Sequence, residues 1–311
     1  MSNRILVVGS TNVDLIATTD RLPLPGETVL GGRFLQANGG KGANQAVAAA
    51  RSGGKVALLT SIGDDSFGTA CLASFIDEGI DTSFVRVVGD LPTGVALITV
   101  NREGENCIVV APGANDALTE NEVASTFDQL PQMAVCICQL ETPLPGIRRA
   151  LAEAAARKTI TVLNPAPARI LDDNLLPHLD CLTPNESETE ILTGIRPDSP
   201  ESAIKAGHTL RDRGVDTVII TLGDQGAFLV DAAGHKAVLA PRVEVIDSTA
   251  AGDTFTGCLA YRVAEGATFR EALPYAVCGG ALAVTRAGAQ PSIPRGQEIQ
   301  ALERKIFGIE D

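Results

Sequence analysis

Short runs of consecutive apolar residues alternate with longer stretches in which apolar and small residues recur at helical spacing, and this alternation persists through most of the chain. Residues 5–8, 56–60, 134–140, 160–163, 181–183 and 218–222 read as strands, because a strand covered on both faces is apolar throughout. Residues 43–51, 69–78, 145–156 and 202–213 read as helices between them. Strand then helix, repeated, predicts an α/β fold with a central, mostly parallel sheet flanked by helices on both faces. Residues 11–37 and 91–110 break the pattern with alternating, turn-punctuated segments such as Glu27-Thr-Val-Leu30 and Gly94-Val-Ala-Leu-Ile-Thr-Val100. They predict a small β-sheet lid on a single domain spanning residues 1–311.

Composition narrows the partners. Asp and Glu number 38 against 25 Lys and Arg, a net charge of −13, which argues against nucleic acid or an anionic membrane. Seven cysteines carry no framework spacing, and Cys136 and Cys138 share one face of an apolar strand, so the thiols read as structural in a reducing compartment. The opening strand turns polar too soon for a signal sequence, and no apolar run reaches membrane-spanning length. The expectation is a cytoplasmic protein.

Polar clusters follow several predicted strands, where open α/β sheets bind ligands. Between Asp247 and Gly257, small residues lie between a strand-like run (243–246) and a small-residue helix (257–264). Bare amides at such a helix start, Ala250, Ala251 and Gly252 among them, favour an anion. Asp253 within them is either a helix cap or a base that takes a proton from a hydroxyl. Asn38-Gly-Gly-Lys-Gly-Ala-Asn44 is not a Walker loop, since position 35 is Leu and position 42 is Gly. Its glycines and amides suit close approach to a polyol, or else a helix cap with an exposed lysine. Asn12 and Asp14 fit sugar hydroxyls or a surface turn, and Glu141 needs a partner if it points inward. Asn185 and Glu188 form either a capping box or a pair of oxygen ligands for a water-rich Mg²⁺. Thr221-Leu-Gly-Asp-Gln-Gly226 is a weak glycine pattern consistent with a nucleotide. No histidine lies near these clusters, and the dinucleotide fingerprint is absent after the first strand.

Gly39-Gly-Lys-Gly-Ala-Asn44, Gly63-Asp-Asp-x-x-Gly68, Asn164-Pro-Ala-Pro-Ala168, Thr183-Pro-Asn-Glu186 and Ala250-Ala-Gly-Asp253 occur in that order along essentially the whole chain. Together they resemble the ribokinase-like family of carbohydrate and nucleoside kinases. The resemblance implies ATP-dependent phosphorylation of D-ribose at its 5-hydroxyl, with Asp253 as base and Ala250, Ala251 and Gly252 as anion hole. It further implies that Asn12, Val13, Asp14, Gly40, Lys41, Gly42, Ala43, Asn44 and Glu141 hold the sugar. Asn185, Thr221, Leu222, Gly223, Asp224, Gln225, Gly226 and Gly252 would contact ATP, and Asn185 with Glu188 would order Mg²⁺. A K⁺ site would match Asp247, Thr249, Ala283, Arg286, Gly288 and Ser292, and pairing of lids would make a homodimer. Val277 departs from the pattern, standing where the family often has Asn or His near adenine. Another small acceptor (2-deoxyribose, fructose, adenosine) and a non-catalytic sugar sensor are the alternatives.

Overall fold

The computed structural model describes residues 3–308. In chain order the strands are β1 (Arg4–Val8), β2 (Asn12–Thr18), β3 (Arg33–Gly39), β4 (Lys55–Gly63), β5 (Val85–Val88), β6 (Gly94–Val100), β7 (Asn106–Ala111), β8 (Val135–Cys138), β9 (Ile160–Leu163), β10 (Cys181–Leu182), β11 (Thr217–Thr221), β12 (Ala227–Asp231) and β13 (Gly234–Val238). The helices are α1 (Lys41–Ser52), α2 (Ser66–Asp77), α3 (Glu120–Phe127), α4 (Leu144–Ala156), α5 (Glu186–Thr193), α6 (Pro200–Asp212), α7 (Ala251–Ala264), α8 (Phe269–Ala283) and α9 (Gly296–Phe307).

Nine strands form one sheet in the order β13-β12-β11-β10-β9-β8-β1-β4-β5. It is parallel from β11 to β5, and β12 and β13 add an antiparallel edge. The side-chain alternation of a strand sorts the core into two layers. Ile5 and Val7 pack with residues of α1, α7 and α8, whereas Leu6 and Val8 pack with residues of α3, α4 and α6. Each such side chain contributes about 1.5–3 kcal/mol by leaving water, which is why these runs carry no polar interruption. Cys136 and Cys138 both fall in the second layer, buried and free, as expected from their shared face. A separate four-stranded sheet, β3-β2-β6-β7, comprises the two segments that broke the helical pattern.

Several expectations need correction. Residues 243–246 form no strand: Val245 and Ile246 are exposed, and the Ile246 N–H donates to Val284 O at the end of α8 instead of to a sheet neighbour. Residues 27–30 are likewise irregular, and the left-handed Gly31 and Gly32 that follow end any extended run before β3 begins. Helix α7 starts at Ala251, six residues before the predicted start, so Asp253 lies within its first turn.

The seam between α1 and α7 determines where the site forms. A β-carbon on Gly257 would lie 2.5 Å from Gln45 O and 2.6 Å from Ala48 Cβ, so only glycine permits this approach. One turn earlier on the same face of α7 stands Asp253, which is thereby brought against Asn44 and Gln45.

Candidate active site

The predicted clusters converge at the carboxyl ends of the strands. A cavity of about 180 Å³ is lined by Lys41, Asn185, Glu188, Thr221 and the segment Ala250–Asp253, with Asn164 and Thr183 beside them. Two larger grooves elsewhere on the surface contain none of the predicted residues.

Asp253 is 6% exposed and does not cap its helix. The N-cap is Ala250, held left-handed at φ 59° without a side-chain bond. The carboxylate instead accepts from Asn44 Nδ2 on Oδ2 and from Gln45 Nε2 on Oδ1, both at 2.9 Å. The first intrahelical bond runs from Thr254 N to Ala250 O, and Ala251 N donates to Ser248 O at 3.3 Å. The N–H groups of Gly252 and Asp253 have no carbonyl within the helix to bond, leaving two donors at its positive end. A β-carbon on Gly252 would meet no heavy atom within 4 Å. The protein's own packing therefore gives no reason for a glycine there, whereas an anion seated on these amides does.

The glycines of Gly40-Lys-Gly42 behave differently. A β-carbon on Gly40 would come within 2.6 Å of Asn12 N, and one on Gly42 within 2.6 Å of Gly9 C. The backbone that approaches them is the chain's own β1–β2 turn, and this approach alone accounts for both glycines. The approach nonetheless brings Lys41 against the end of β8. Glu141 finds its partners there: its Oε2 accepts from Ser10 Oγ (2.6 Å) and from Lys41 N (3.0 Å). Asn12 and Asp14 project from β2, both buried. Burial, then the charges of Glu141 and Asp253, push the Asp14 carboxyl up to about 6. Val13 and Ala43 are core residues, and position their neighbours by backbone alone.

Lys41 is the cation of this cluster. Burial works to lower its pKa, but the charges of Asp253, Glu141, Glu188 and Asp14 outweigh that and raise it. One lysine against four carboxylates leaves the site net negative.

Asn185 and Glu188 do form the capping box: Asn185 Oδ1 accepts from Glu188 N and Glu188 Oε2 accepts from Asn185 N, each at 2.8 Å. Glu188 also faces the cavity, and burial holds its carboxyl above the usual range. Of the predicted nucleotide turn only Thr221 lines the cavity; Gly223–Gln225 is a 3₁₀ turn leading into β12. Val277 is 5% exposed within the core under α7, not on an open wall.

Three of the six residues matched to a cation site meet around one carboxylate. Asp247 Oδ1 accepts from Thr249 N (2.9 Å) and Oγ1 (2.6 Å), and Oδ2 accepts from Gly288 N (2.8 Å). These bonds hold the Asp247 carboxyl below its usual range despite partial burial. Ser292 is buried four residues beyond Gly288, in the same loop. Ala283 ends α8, and its carbonyl accepts from Arg286 N at 3.3 Å. The Arg286 side chain turns away to pair with Glu298.

Three residues of the site were not anticipated. Gln45 reaches Asp253, Gln139 reaches Gln45, and Asn115 clamps the turn before β2 by bonding Thr11 N, Thr11 O and Asn12 Oδ1. The available signal was an amide inside the alanine-rich face of α1, where a buried polar group must be bonded.

A buried carboxylate at a helix start, beside bare amides and a lysine, is the constellation of a phosphotransferase acting on an alcohol. The chain belongs to the pfkB family of carbohydrate kinases, whose model matches residues 2–295. It is 44% identical over 298 residues to the ribokinase of Haemophilus influenzae, covering 96% of this chain and 97% of that one. A deoxyribokinase of Salmonella typhi is 37% identical over 291 residues, 93% of this chain and 95% of the relative. The structure of Arabidopsis thaliana ribokinase complexed with ribose and ATP is similar at a TM-score of 0.89, with 28% identity and coverage of 98% of this chain and 99% of that one.

Proposed function

We propose that this chain is an ATP-dependent ribokinase that transfers the γ-phosphoryl group of ATP to the 5-hydroxyl of D-ribose. The observation that carries the reading is Asp253, buried at a helix start where the N–H groups of Gly252 and Asp253 find no carbonyl within the helix. In the reaction the hydroxyl O–H bond breaks, its oxygen forms a bond to phosphorus, and the bond from phosphorus to the leaving oxygen of ADP breaks. Asp253 takes the proton. The N–H groups of Gly252 and Asp253 and the Lys41 ammonium take up charge spread over the transferred group. Asn12, Asp14 and Glu141 hold the other hydroxyls, so that attack is a matter of orientation. Thr221 and Asn185 contribute to the ATP side.

The residues fit a divalent ion. Glu188 and Asn185 offer oxygen donors beside the phosphate position, few enough to leave a Mg²⁺ largely hydrated, and the net negative site needs an accompanying cation to admit ATP. Bound there, Mg²⁺ would supply charge neutralisation at the phosphates. The carboxylate of Asp247 and the hydroxyls of Thr249 and Ser292 are oxygen donors suited to K⁺, whose contribution would be to fix the loop that leads into the amide pair.

We further read residues 1–311 as one domain, the four-stranded sheet as its lid, and that sheet as the contact of a homodimer. Phe34 and Val109 support the pairing, being 67% and 64% exposed on it. Sedimentation equilibrium that finds only monomer at micromolar concentration counts against it. Seven free thiols suit the reducing cytoplasm. No helix among the described residues is long and apolar enough to cross a membrane.

The test is mass-spectrometric detection of sugar phosphate from ATP and Mg²⁺ with ribose, 2-deoxyribose, fructose and adenosine, in K⁺ and in Na⁺. Ribose 5-phosphate formed fastest, faster in K⁺, and lost by orders of magnitude in Asp253→Asn is the expected result. Faster phosphorylation of 2-deoxyribose, which the Salmonella relative brings into view, would keep the mechanism and change the acceptor. No phosphorylated product would overturn the reading in favour of a sugar sensor.

A further inference from the structure

The two oxygens of Asp253 are held in different ways. Asn44 Nδ2 donates to Oδ2, while Asn44 Oδ1 is buried with no partner of its own. An amide with one end unbonded in a buried place is poorly settled, since the missing bond leaves a desolvated acceptor unpaired. A sugar hydroxyl would supply it. Oδ1 is held by a chain in which each link fixes the next: Gln139 Nε2 donates to Gln45 Oε1 (2.7 Å), and Gln45 Nε2 donates to Asp253 Oδ1 (2.9 Å) and to Asn164 Oδ1 (3.2 Å). Asn164 Nδ2 in turn donates to Thr183 O at 3.0 Å. Reversing the Gln45 amide would set its oxygen against two acceptors and its nitrogen against a donor, so its orientation is fixed, although Gln139 Oε1 is itself buried without a partner. All four residues are buried, and Gln45 and Gln139 are outside the sets expected to touch sugar, nucleotide or metal.

We infer that Gln45, oriented by Gln139, is a positioning residue that occupies Oδ1 of Asp253 throughout the reaction, leaving Oδ2 as the atom that takes the hydroxyl proton once Asn44 turns to the sugar. The inference rests on the reading of Asp253 as base. In this structure Asn44 covers Oδ2. When ribose binds, the 5-hydroxyl replaces Asn44 there, and the O–H proton passes to Oδ2 as the O–P bond forms. The bond from Gln45 keeps the carboxylate plane from rotating and keeps the proton from settling on the distal oxygen. The charged groups that face Asp253 from the packed elements are Lys41 of α1, Asp14 of β2 and Glu188 of α5. Removing Gln45 changes none of them.

The test uses Gln45→Met and Gln139→Met, which keep length and lose the amide, with pH profiles of kcat and KM for ribose in the intact enzyme. Gln45→Met is expected to lower kcat about 10- to 100-fold, to leave ribose KM within about threefold, and to move the acidic limb of kcat up by about one unit. Gln139→Met should move the limb in the same direction by less. Asn44→Ala should raise ribose KM and leave the limb of kcat in place, because kcat reports the sugar-bound state that Asn44 has already vacated. A role confined to packing would lower the melting temperature of Gln45→Met and leave the limb unmoved, and an unmoved limb in both methionine variants overturns the inference. If Gln45→Met does not fold, Gln139→Met decides alone. Asp253→Asn, run alongside, separates the two failures: retained turnover there refutes the base itself, whereas lost turnover with unmoved limbs refutes only the role of Gln45.

Discussion

Replacing Gly252 by alanine should separate folding from chemistry by moving them in opposite directions. The residue lies in the first turn of α7, and a β-carbon there meets no heavy atom within 4 Å. Alanine is favoured over glycine in a helix by about 0.5–1 kcal/mol, partly because it restricts the unfolded chain. For a chain of this size that corresponds to a rise in Tm of about 1–3 °C. The same methyl enters the ground where the transferred phosphoryl group must rest on the amides of Gly252 and Asp253. Losing one donor from such a hole costs about 10²–10³ in kcat, and a group pushed off both donors loses at least as much. Calorimetry gives the first number, and rapid-quench single-turnover formation of ribose phosphate gives the second. The expected variant melts at or above the wild type, turns over at least about 10²-fold more slowly, and binds ribose within about threefold as well. A variant that folds and keeps wild-type turnover would show that no phosphoryl group passes over these amides.

Asp14 supplies a pH test with a definite sign. Burial and the neighbouring carboxylates raise its carboxyl from an ordinary 3.8 to about 6 in the folded chain, so between these values the folded chain binds the proton that the unfolded chain has released. Its contribution to stability is therefore full below about pH 4 and is lost as pH rises through about 6, and Asp14→Asn should recover on the order of 1–3 kcal/mol at pH 8. In catalysis, kcat/KM for ribose should fall below about pH 6 as Asp14 stops accepting from sugar hydroxyls, and Asp14→Asn should remove that limb while raising KM. A limb that persists in Asp14→Asn assigns it to another group. Val109→Lys, placed on the exposed face of β7, should convert a sedimenting dimer to monomer without lowering the melting temperature of the main sheet; an unchanged dimer would move the interface elsewhere.

The sheet was legible because burial on both faces leaves an unbroken apolar signature, as in 5–8 and 160–163. Its edge was not: β13 reads Gly-His-Lys-Ala-Val, and an antiparallel strand half open to water carries no such run. The start of α7 is not legible because its first turn is small and polar, the composition of a loop. Asn12, Asp14, Lys41 and Glu141 could be named from the residues that surround them in the chain. Gln45 could not, since its bond to Asp253 joins positions 208 apart and depends on the close seam between α1 and α7. The glycines illustrate the limit most clearly. Gly42 and Gly252 look alike in sequence, yet a β-carbon on one would strike the chain's own backbone and on the other would meet nothing within 4 Å.

The residues proposed to recognise the acceptor and those proposed to activate it are carried by different structural bodies. Asn12 and Asp14 lie on β2 of the small sheet, whereas Asp253 and Gln45 are set by two helices packed on the large one. The small sheet can thus be remodelled to admit a different alcohol while the proton acceptor and the phosphate seat keep their coordinates. On that reading acceptor choice and phosphoryl transfer become separable traits, open to independent alteration by substitutions on two different sheets.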